Sequence, residues 1–441
     1  MTGQQPFSVA IVGGGLGGIS LGIALQRRNI PFTLYESRGS FTEIGAGINL
    51  GPSALRTLRL IDPTLGEKVY NLATRNPPPH EDVWMHLRYA APWGDHEDGE
   101  MFHKISSPPT GNMTLHRQEL LALLAEEMGH RHAKFNKKFE SYEQTSDHVT
   151  LKFVDGTTDE ASILVACDGI HSKVRTCMLG NDDPASKAVF SESGAYRALL
   201  PMEKAVEVLG ESARLGTINF GPGGYLITYP VSGGTKLNCG AWTSRRGQTW
   251  PHRDWILPNQ QQQFKSDFAL CGERVQKILR MFDDDPELWA TFQHGNQPDS
   301  FTDGLVILTG DGAHSMPPHQ GSGASQAIED SYVLAETLSV LVPSPESGIP
   351  SPTAADLKAA LRIVEQVRKA RFTQVHRYSV EGGDRWFGLF DQKLEGKDLQ
   401  DWIDETERRL RWIWNEDLAA HAEEAKSLLA AHLNEAKTAN Y

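Results

Sequence analysis

The fold prediction for this chain starts from residues 8–36, SVAIVGGGLGGISLGIALQRRNIPFTLYE. An apolar run typical of a buried parallel strand leads into a glycine-rich turn, a helical segment and a second apolar strand. Gly13, Gly15 and Gly18 have the G-x-G-x-x-G spacing, which lets the backbone turn tightly and approach a pyrophosphate. Glu36 ends the second strand, where a carboxylate can accept hydrogen bonds from a ribose. We therefore predict a dinucleotide site rather than a purely structural glycine turn. FAD or NAD is favoured over NADP, because Glu36 would repel a 2′-phosphate.

Composition limits the classes of partner that we expect. The chain has 441 residues and a formal net charge of −13, which disfavours nucleic acid or an anionic membrane surface as a partner. The four cysteines lack C-x-x-C spacing, so neither a zinc site nor a redox disulfide is predicted. No apolar run is long enough for a membrane span, and no targeting segment is evident. A cytoplasmic enzyme, monomeric or homodimeric, is expected.

A change of pattern in the middle of the chain predicts a second architecture. Short alternating segments from 188 to 242, separated by glycine-rich turns, are typical of an antiparallel sheet. A helix is predicted over 114–128 with Thr114 as its N-cap, and another helical piece over 286–291. The C-terminal residues from 353 onward are predicted to be helical.

Two later segments complete a three-part pattern. They are VACDGIHSKVR at 165–175 and LTGDGAHSMPPHQGSG at 308–323. In order and separation, the three segments resemble those of the FAD-dependent aromatic hydroxylases, the single-component flavoprotein monooxygenases. The chain has one G-x-G-x-x-G and no redox cysteine pair, unlike a pyridine-nucleotide disulfide reductase. The nicotinamide donor is therefore expected to bind only transiently.

The resemblance implies an α/β fold, in which a Rossmann-like FAD-binding domain carries an inserted antiparallel-sheet substrate domain and C-terminal helices. We expect the FAD-binding domain to comprise residues 1–75, 111–182 and 299–342. The substrate domain would comprise 76–110, as a strand and loops, and 183–298, as the antiparallel sheet. The C-terminal helical region would span 353–441.

Within that family, the chain is most similar to the salicylate hydroxylase branch. The matching stretches are 43–56, 81–84, 196–197, 318–321 and 411–418. This branch also includes fungal hydroxylases of polyketide phenols. The resemblance thus implies a small phenolic substrate, either salicylate-like or polyketide-derived.

The same resemblance implies a set of cofactor residues. Beside the opening glycines, the residues that would contact FAD are Glu36, Asn49, Arg117, Asp168, Asp311, Gly321, Gly323 and Ala324. The N-terminus of the helix after Gly321 would face the flavin pyrimidine ring, where its dipole favours negative charge. Taken alone, Asp168 could instead be a plain turn residue, and Arg175 a surface helix residue.

Three residues are candidates for the substrate site. The resemblance implies that Arg197 and Tyr229 hold a phenolate or carboxylate, which suits a planar guanidinium fork. The alternatives are a surface ion pair for Arg197 and an ordinary sheet residue for Tyr229. His319 is a weaker catalytic candidate lining the pocket, and His314 is expected to support the FAD loop. Pro317 and Pro318 separate the two histidines, which disfavours a helical metal pair, so no metal site is predicted.

The predicted activity is a monooxygenase that consumes NADH or NADPH and O2. By the resemblance, a flavin C4a-hydroperoxide would transfer oxygen to a phenolate, giving a catechol or a dearomatised ketone. An FAD-dependent epoxidase or oxidase acting on a non-phenolic secondary metabolite is the alternative enzyme. A binding protein that holds FAD structurally is the alternative outside catalysis.

Overall fold

The computed structural model describes residues 7–42, 46–343 and 351–439. The helices are α1 (Leu16–Arg27), α2 (Pro52–Ile61), α3 (Pro63–Leu72), α4 (Arg117–Met128), α5 (Lys173–Leu179), α6 (Met202–Leu209), α7 (Gln261–Asp267), α8 (Glu273–Leu279), α9 (Gly310–His314), α10 (Gly323–Ser339), α11 (Ala354–Asp391), α12 (Gly396–Trp414) and α13 (Leu418–Ala439). The strands are β1 (Val9–Val12), β2 (Phe32–Tyr35), β3 (Gly47–Asn49), β4 (Val83–Tyr89), β5 (Met101–Ser106), β6 (Thr114–His116), β7 (Ala133–Lys134), β8 (Phe139–Gln144), β9 (Val149–Phe153), β10 (Thr158–Ala161), β11 (Ile163–Ala166), β12 (Val189–Pro201), β13 (Thr217–Gly221), β14 (Gly224–Val231), β15 (Lys236–Ser244), β16 (Ile256–Leu257), β17 (Leu288–Gln293), β18 (Thr302–Asp303) and β19 (Val306–Leu308).

A mostly parallel sheet with the order β18-β19-β11-β1-β2-β7 forms the first core. Every residue of β1 and β11 is buried, because helices cover both faces of the sheet. The parallel register runs from Val9 opposite Phe32 and Ile163, and the carboxyl ends of the strands therefore meet at one edge. The predicted Rossmann-like α/β arrangement is confirmed.

A second sheet has the order β16-β17-β12-β15-β14-β13-β4-β5. Its pairs are antiparallel except for β4 and β13, which run parallel with Thr217 opposite His86. The antiparallel pairing predicted for the segments within 188–242 is confirmed. The parallel pair arises because β4, a strand from far upstream, joins this sheet, which the alternation within 188–242 could not indicate. The domain boundaries given above stay a prediction.

The two faces of this second sheet contact different elements. Side chains alternate between faces along each strand, so neighbours such as Tyr196 and Arg197 point in opposite directions. Tyr196 faces a cluster that includes α7 and α8, where its ring packs against Phe264 and Phe268. The opposite face packs against α11 and α12. We refer to it below as the inner face.

Two local predictions were wrong. The helix predicted from Thr114 begins at Arg117, because Thr114 lies in β6 and pairs with β3. Residues 288–291 of the predicted helical piece belong instead to β17, next to the edge strand of the second sheet. In both cases, pairing with a distant strand overrides the local preference.

The C-terminal helices close the molecule over both sheets. Helix α11 begins with a capping box, in which Thr353 and Asp356 satisfy each other's backbone N–H groups. Helices α11 and α13 pack against α10 of the first core. Within the described ranges, no helix combines the length and apolarity that crossing a bilayer requires.

Candidate active site

The glycine-rich turn is built so that no side chain fits at its two outer glycines. Gly13 has a φ of 108°, and a Cβ there would collide with the carbonyl oxygen of Cys167. A Cβ at Gly18 would collide with the carbonyl oxygen of Gly13. Gly15 is the N-cap of α1 and provides no capping side chain. The first N–H groups of α1 are therefore available to a phosphate.

Glu36 lies beside this turn at the end of β2. Its carboxylate accepts hydrogen bonds from the backbone N–H of Gly14 and of Arg38, both at 2.8 Å. These bonds fix the acid next to the phosphate-binding turn, on the side where a ribose would follow. The arrangement fits the adenosine half of a dinucleotide.

Asp168 lies four residues before Ser172, the N-cap of α5, and its half-buried carboxylate accepts hydrogen bonds from the start of that helix. Its carboxylate accepts from the Ser172 hydroxyl at 2.6 Å and from the backbone N–H of Lys173 at 2.7 Å. Burial raises the pKa of Asp168, and these hydrogen bonds oppose the increase. Because the Cβ position of Gly13 also falls against the Asp168 backbone, the first and second sequence motifs meet here.

Arg175 joins the second and third motifs. It is fully buried, and it donates to the carbonyl oxygens of Ala185 at 2.6 Å, Gly312 at 3.0 Å and Ala313 at 2.7 Å. The alternative of a surface helix residue is therefore wrong. The side chain holds the backbone of α9 in place, and burial lowers its pKa to about 10.

The third motif presents the N-terminus of α10. Its N-cap, Ser322, makes no capping hydrogen bond with its side chain, because its hydroxyl donates to the Gln320 carbonyl at 3.0 Å. Gly321 adopts a left-handed conformation with a φ of 61°. The exposed Asp311 lies close by, with one carboxylate oxygen 3.8 Å from the Cβ position of Gly323. The first N–H groups of α10, which include Gly323 and Ala324, are therefore positioned to face negative charge.

Asn49 is the last residue of β3, and Arg117 is the first residue of α4, directly after β6, the strand that pairs with β3. Asn49 accepts from the indole N–H of Trp84 at 3.1 Å and donates to Asn112. The backbone N–H of Arg117 donates to the Ala46 carbonyl at 2.9 Å. The matching stretch at 43–56 includes residues 43–45, which lie outside the described residues.

A buried ion cluster supports the α9 loop from behind. Asp330 accepts from His314 Nε2 at 2.7 Å, from the Gly310 N–H at 3.0 Å and from Arg368 at 2.9 Å. Glu329 accepts two hydrogen bonds from Arg371, at 2.7 and 2.8 Å. Burial raises the pKa of Asp330, but His314 and Arg368 hold it well below its ordinary value.

The cluster continues into the C-terminal stretch at 411–418. Arg371 also donates to Glu416 at 3.1 Å and to the Ile413 carbonyl at 2.8 Å. Arg56 donates to the Trp414 carbonyl, and the Trp414 ring packs against Trp84 at 5.3 Å. This stretch therefore connects α2 to α11 near the cofactor loops. The sequence analysis predicted no role for Arg368 or Arg371. Both donate to Glu329, which lies about forty positions away in the chain.

Arg197 lies on the inner face of the second sheet and is deeply surrounded by protein, yet its side chain remains exposed. This combination is expected for a residue that lines an internal cleft. Its guanidinium stacks 5.0 Å from the Trp289 ring and forms no hydrogen bond or salt bridge with any described residue. Burial lowers the pKa of Arg197, while Tyr229 partly counteracts this. The alternative of a surface ion pair is thus excluded by the contacts.

Tyr229 is buried close to Arg197. Burial raises its pKa, and the nearby charges of Arg197 and Arg117 oppose that increase. Its ring lies against Gly47, whose N–H donates to Asn238 at 2.8 Å. The structure thus brings Arg197, Tyr229 and Arg117 together at one end of the inner face.

His319 is buried between this face and α11. The Tyr225 hydroxyl lies 2.8 Å from its Nδ1, and the rings of Trp242 and Phe387 pack around it. Burial lowers the pKa of His319 to about 3, so the imidazole is neutral at physiological pH. The sequence reasoning missed Tyr225, although its two-residue alternation with Ile227 and Tyr229 places all three on one face.

The comparisons with known proteins agree with this geometry. Residues 7–344 match the model of the FAD binding domain family. Over 437 residues the chain is 34% identical to 6-methylsalicylate 1-monooxygenase of Aspergillus terreus, covering 98% of this chain and 94% of that protein. The chain belongs to the salicylate hydroxylase-like FAD-dependent monooxygenases. The family predicted from the three motifs is confirmed, and the chain is an FAD-dependent monooxygenase.

Two further relatives support the same assignment. The monooxygenase is 31% identical to salicylate hydroxylase of Pseudomonas putida, over 96% of this chain and 95% of that protein. Its fold matches a salicylate hydroxylase solved as a substrate complex, with a TM-score of 0.79 and 28% identity, covering 95% and 98% of the two chains. The N-termini of α1 and α10 have no side-chain cap, which fits the negatively charged groups of a flavin dinucleotide.

Proposed function

We propose that this monooxygenase hydroxylates a small anionic phenol, with NADH or NADPH as electron donor and O2 as oxidant. One observation carries the proposal: protein surrounds the Arg197 guanidinium on the inner face, its side chain stays accessible, and no described residue is its anionic partner. A partly enclosed guanidinium that lacks a protein anion has its donors free for an anionic ligand. A planar carboxylate or phenolate is the natural complement of its fork.

The surroundings of Arg197 support an aromatic substrate. Partly buried apolar side chains lie around the inner face, namely Leu199, Ile227, Met316 and Phe387. They offer a flat apolar ring a place to bind and exclude water from it. Tyr229 would hold the anion from a second side, because its hydroxyl forms no hydrogen bond with described residues.

The cofactor would be held along the joined motifs. The residues proposed to contact FAD are Gly13, Gly15, Gly18, Glu36, Asn49, Arg117, Asp168, Asp311, Gly321, Gly323 and Ala324. When bound and reduced, the flavin supplies an activated oxygen atom derived from O2. The N-terminus of α10 would stabilise negative charge on the ring system. Holding the substrate as an anion makes its ring more electron-rich and hence a better nucleophile.

The relatives suggest the substrate class. Two of them are named for 6-methylsalicylate and salicylate, which are phenols with an ortho carboxylate. A substrate of this kind would lose CO2 on hydroxylation and give a catechol. A ring alkylated at the attacked carbon would give a dearomatised ketone instead.

The test is a substrate screen with product analysis. FAD-loaded protein is mixed with NADH or NADPH and with salicylate, 6-methylsalicylate, or the matching phenol without a carboxylate. Faster consumption of the donor, together with a hydroxylated product from at least one phenolic compound, is expected. If every phenol leaves NAD(P)H oxidation at its basal rate, the proposal is wrong.

A further inference from the structure

Tyr225 and His319 form a buried hydrogen-bonded pair, and the proposed binding of an anion by Arg197 does not explain it. Both side chains are buried, at 3% and 4% exposure, on the inner face of the second sheet. The Tyr225 hydroxyl and His319 Nδ1 are 2.8 Å apart, and this is the hydroxyl's one hydrogen bond among the described residues. A buried polar pair of this kind is retained when it fixes an orientation or a protonation state.

The direction of this hydrogen bond follows from which of the two groups, the phenol or the imidazole, has a proton to donate. Burial keeps Tyr225 protonated, because it raises the pKa of the phenol well above its ordinary value. If Nδ1 carried the proton and donated, the phenolic O–H would be left buried without an acceptor among the described residues, which is unfavourable. The hydroxyl therefore donates and Nδ1 accepts. A neutral imidazole must then carry its proton on Nε2.

The Nε2 edge of the ring makes no hydrogen bond with the described residues. Helix α11 passes close to this edge at Gly383, where a Cβ would lie 2.8 Å from Nε2, so the glycine leaves room beside Nε2 that a side chain would fill. Trp242 and Phe387 flank the ring, and Phe387 is one of the partly buried side chains that line the proposed substrate cavity.

We propose that Tyr225 is a positioning residue that fixes His319 as the Nε2–H tautomer, so that His319 donates a hydrogen bond to the phenolic oxygen of the substrate. His319 then acts as a neutral donor and not as a base. Arg197 would hold the carboxylate of the same molecule from the other end of the inner face. The inference rests on the proposed function for the identity of the ligand, but its statement about the tautomer does not.

The first experiment reads the tautomer directly. Long-range 1H–15N spectra of FAD-loaded protein with 15N-labelled histidine distinguish Nε2–H from Nδ1–H, and His319→Gln identifies the signal. The Nε2–H form is expected in the unmodified protein, with a mixture of tautomers in Tyr225→Phe. A His319 signal of the Nδ1–H form, or an unchanged signal in Tyr225→Phe, would overturn the inference.

The second experiment measures binding with two probes, by the change of flavin absorbance on titration. Salicylate has the phenolic oxygen and benzoate lacks it. Loss of one hydrogen bond predicts that Tyr225→Phe weakens salicylate binding about three- to tenfold and leaves benzoate binding unchanged. Tyr196→Phe is the matched control. It also removes a tyrosine hydroxyl from the second sheet, but that hydroxyl hydrogen-bonds Asp267 on the opposite face.

A double variant separates positioning from packing. The amide N–H of glutamine can donate without help from Nδ1. In the His319→Gln background, Tyr225→Phe is therefore expected to have no further effect on the Kd of salicylate. Equal weakening in both backgrounds, or equal weakening of salicylate and benzoate, would show that Tyr225 only packs. If the unmodified protein binds neither probe, the proposed function fails while the tautomer measurement still decides the inference.

Discussion

Replacing Arg197 separates substrate binding from folding more cleanly than other changes in the site. The side chain has no hydrogen bond or salt bridge to described residues, so its removal breaks no interaction except the stacking on Trp289. Arg197→Met keeps most of the side-chain volume beside that ring. Because the charge that is removed has no ionic partner among the described residues, the Tm of the FAD-loaded protein should stay unchanged or rise.

The expected loss of affinity follows from the guanidinium fork. Hydrogen bonds to a charged group contribute about 1.5–3 kcal/mol each, so two bonds to one carboxylate contribute at least about 3 kcal/mol. That free energy corresponds to a Kd for salicylate weakened by about 150-fold. Arg197→Lys keeps the charge but loses the fork and should fall between Arg197→Met and the unmodified protein.

The assay titrates each FAD-loaded variant with salicylate while following flavin absorbance. Hydroxylated product formed per NAD(P)H consumed is then measured at saturating donor. Arg197→Met should retain FAD and lose coupled hydroxylation. Full coupling with an unchanged Kd in Arg197→Met would refute the anion anchor. A large drop in Tm would refute the conclusion that Arg197 has no structural role.

Three further changes test the supporting structure. Gly18→Ala should abolish FAD retention, measured by the 450 nm absorbance of the purified protein, because its Cβ would collide with the Gly13 carbonyl. Glu329→Gln should destabilise the fold by about 3 kcal/mol in urea unfolding, since it removes the buried carboxylate that Arg368 and Arg371 share and leaves Arg371 only the half-buried Glu416; an unchanged midpoint would contradict this. The pKa of Asp330 is lower in the folded than in the unfolded protein, so its contribution to stability is present above the unfolded pKa of about 4 and is lost as pH falls further. Asp330→Asn should therefore lower stability at pH 7 and flatten its decline below about pH 4, and an acid-unfolding curve of unchanged steepness would count against the assignment.

Local sequence patterns were sufficient to predict those elements whose residues form one continuous stretch of the chain. The β-α-β start and the helices from residue 353 onward follow from periodic patterns within continuous stretches of the sequence. By contrast, Thr114 and residues 288–291 were predicted to be helical but lie in strands, because each pairs with a strand far away in the chain. The parallel pairing of β4 with β13 has the same origin.

The sequence by itself determined the family and the cofactor class, since three spaced motifs leave few alternatives. It also pointed to Arg197, through the resemblance. Only the tertiary structure decided that Arg197 has no ionic partner among the described residues, that Arg175 is buried between two motifs, and that the Tyr225 hydroxyl hydrogen-bonds His319. The physical reason is that burial, pairing and tautomeric state depend on neighbours brought together by folding, and these neighbours are dozens to hundreds of residues away in the chain.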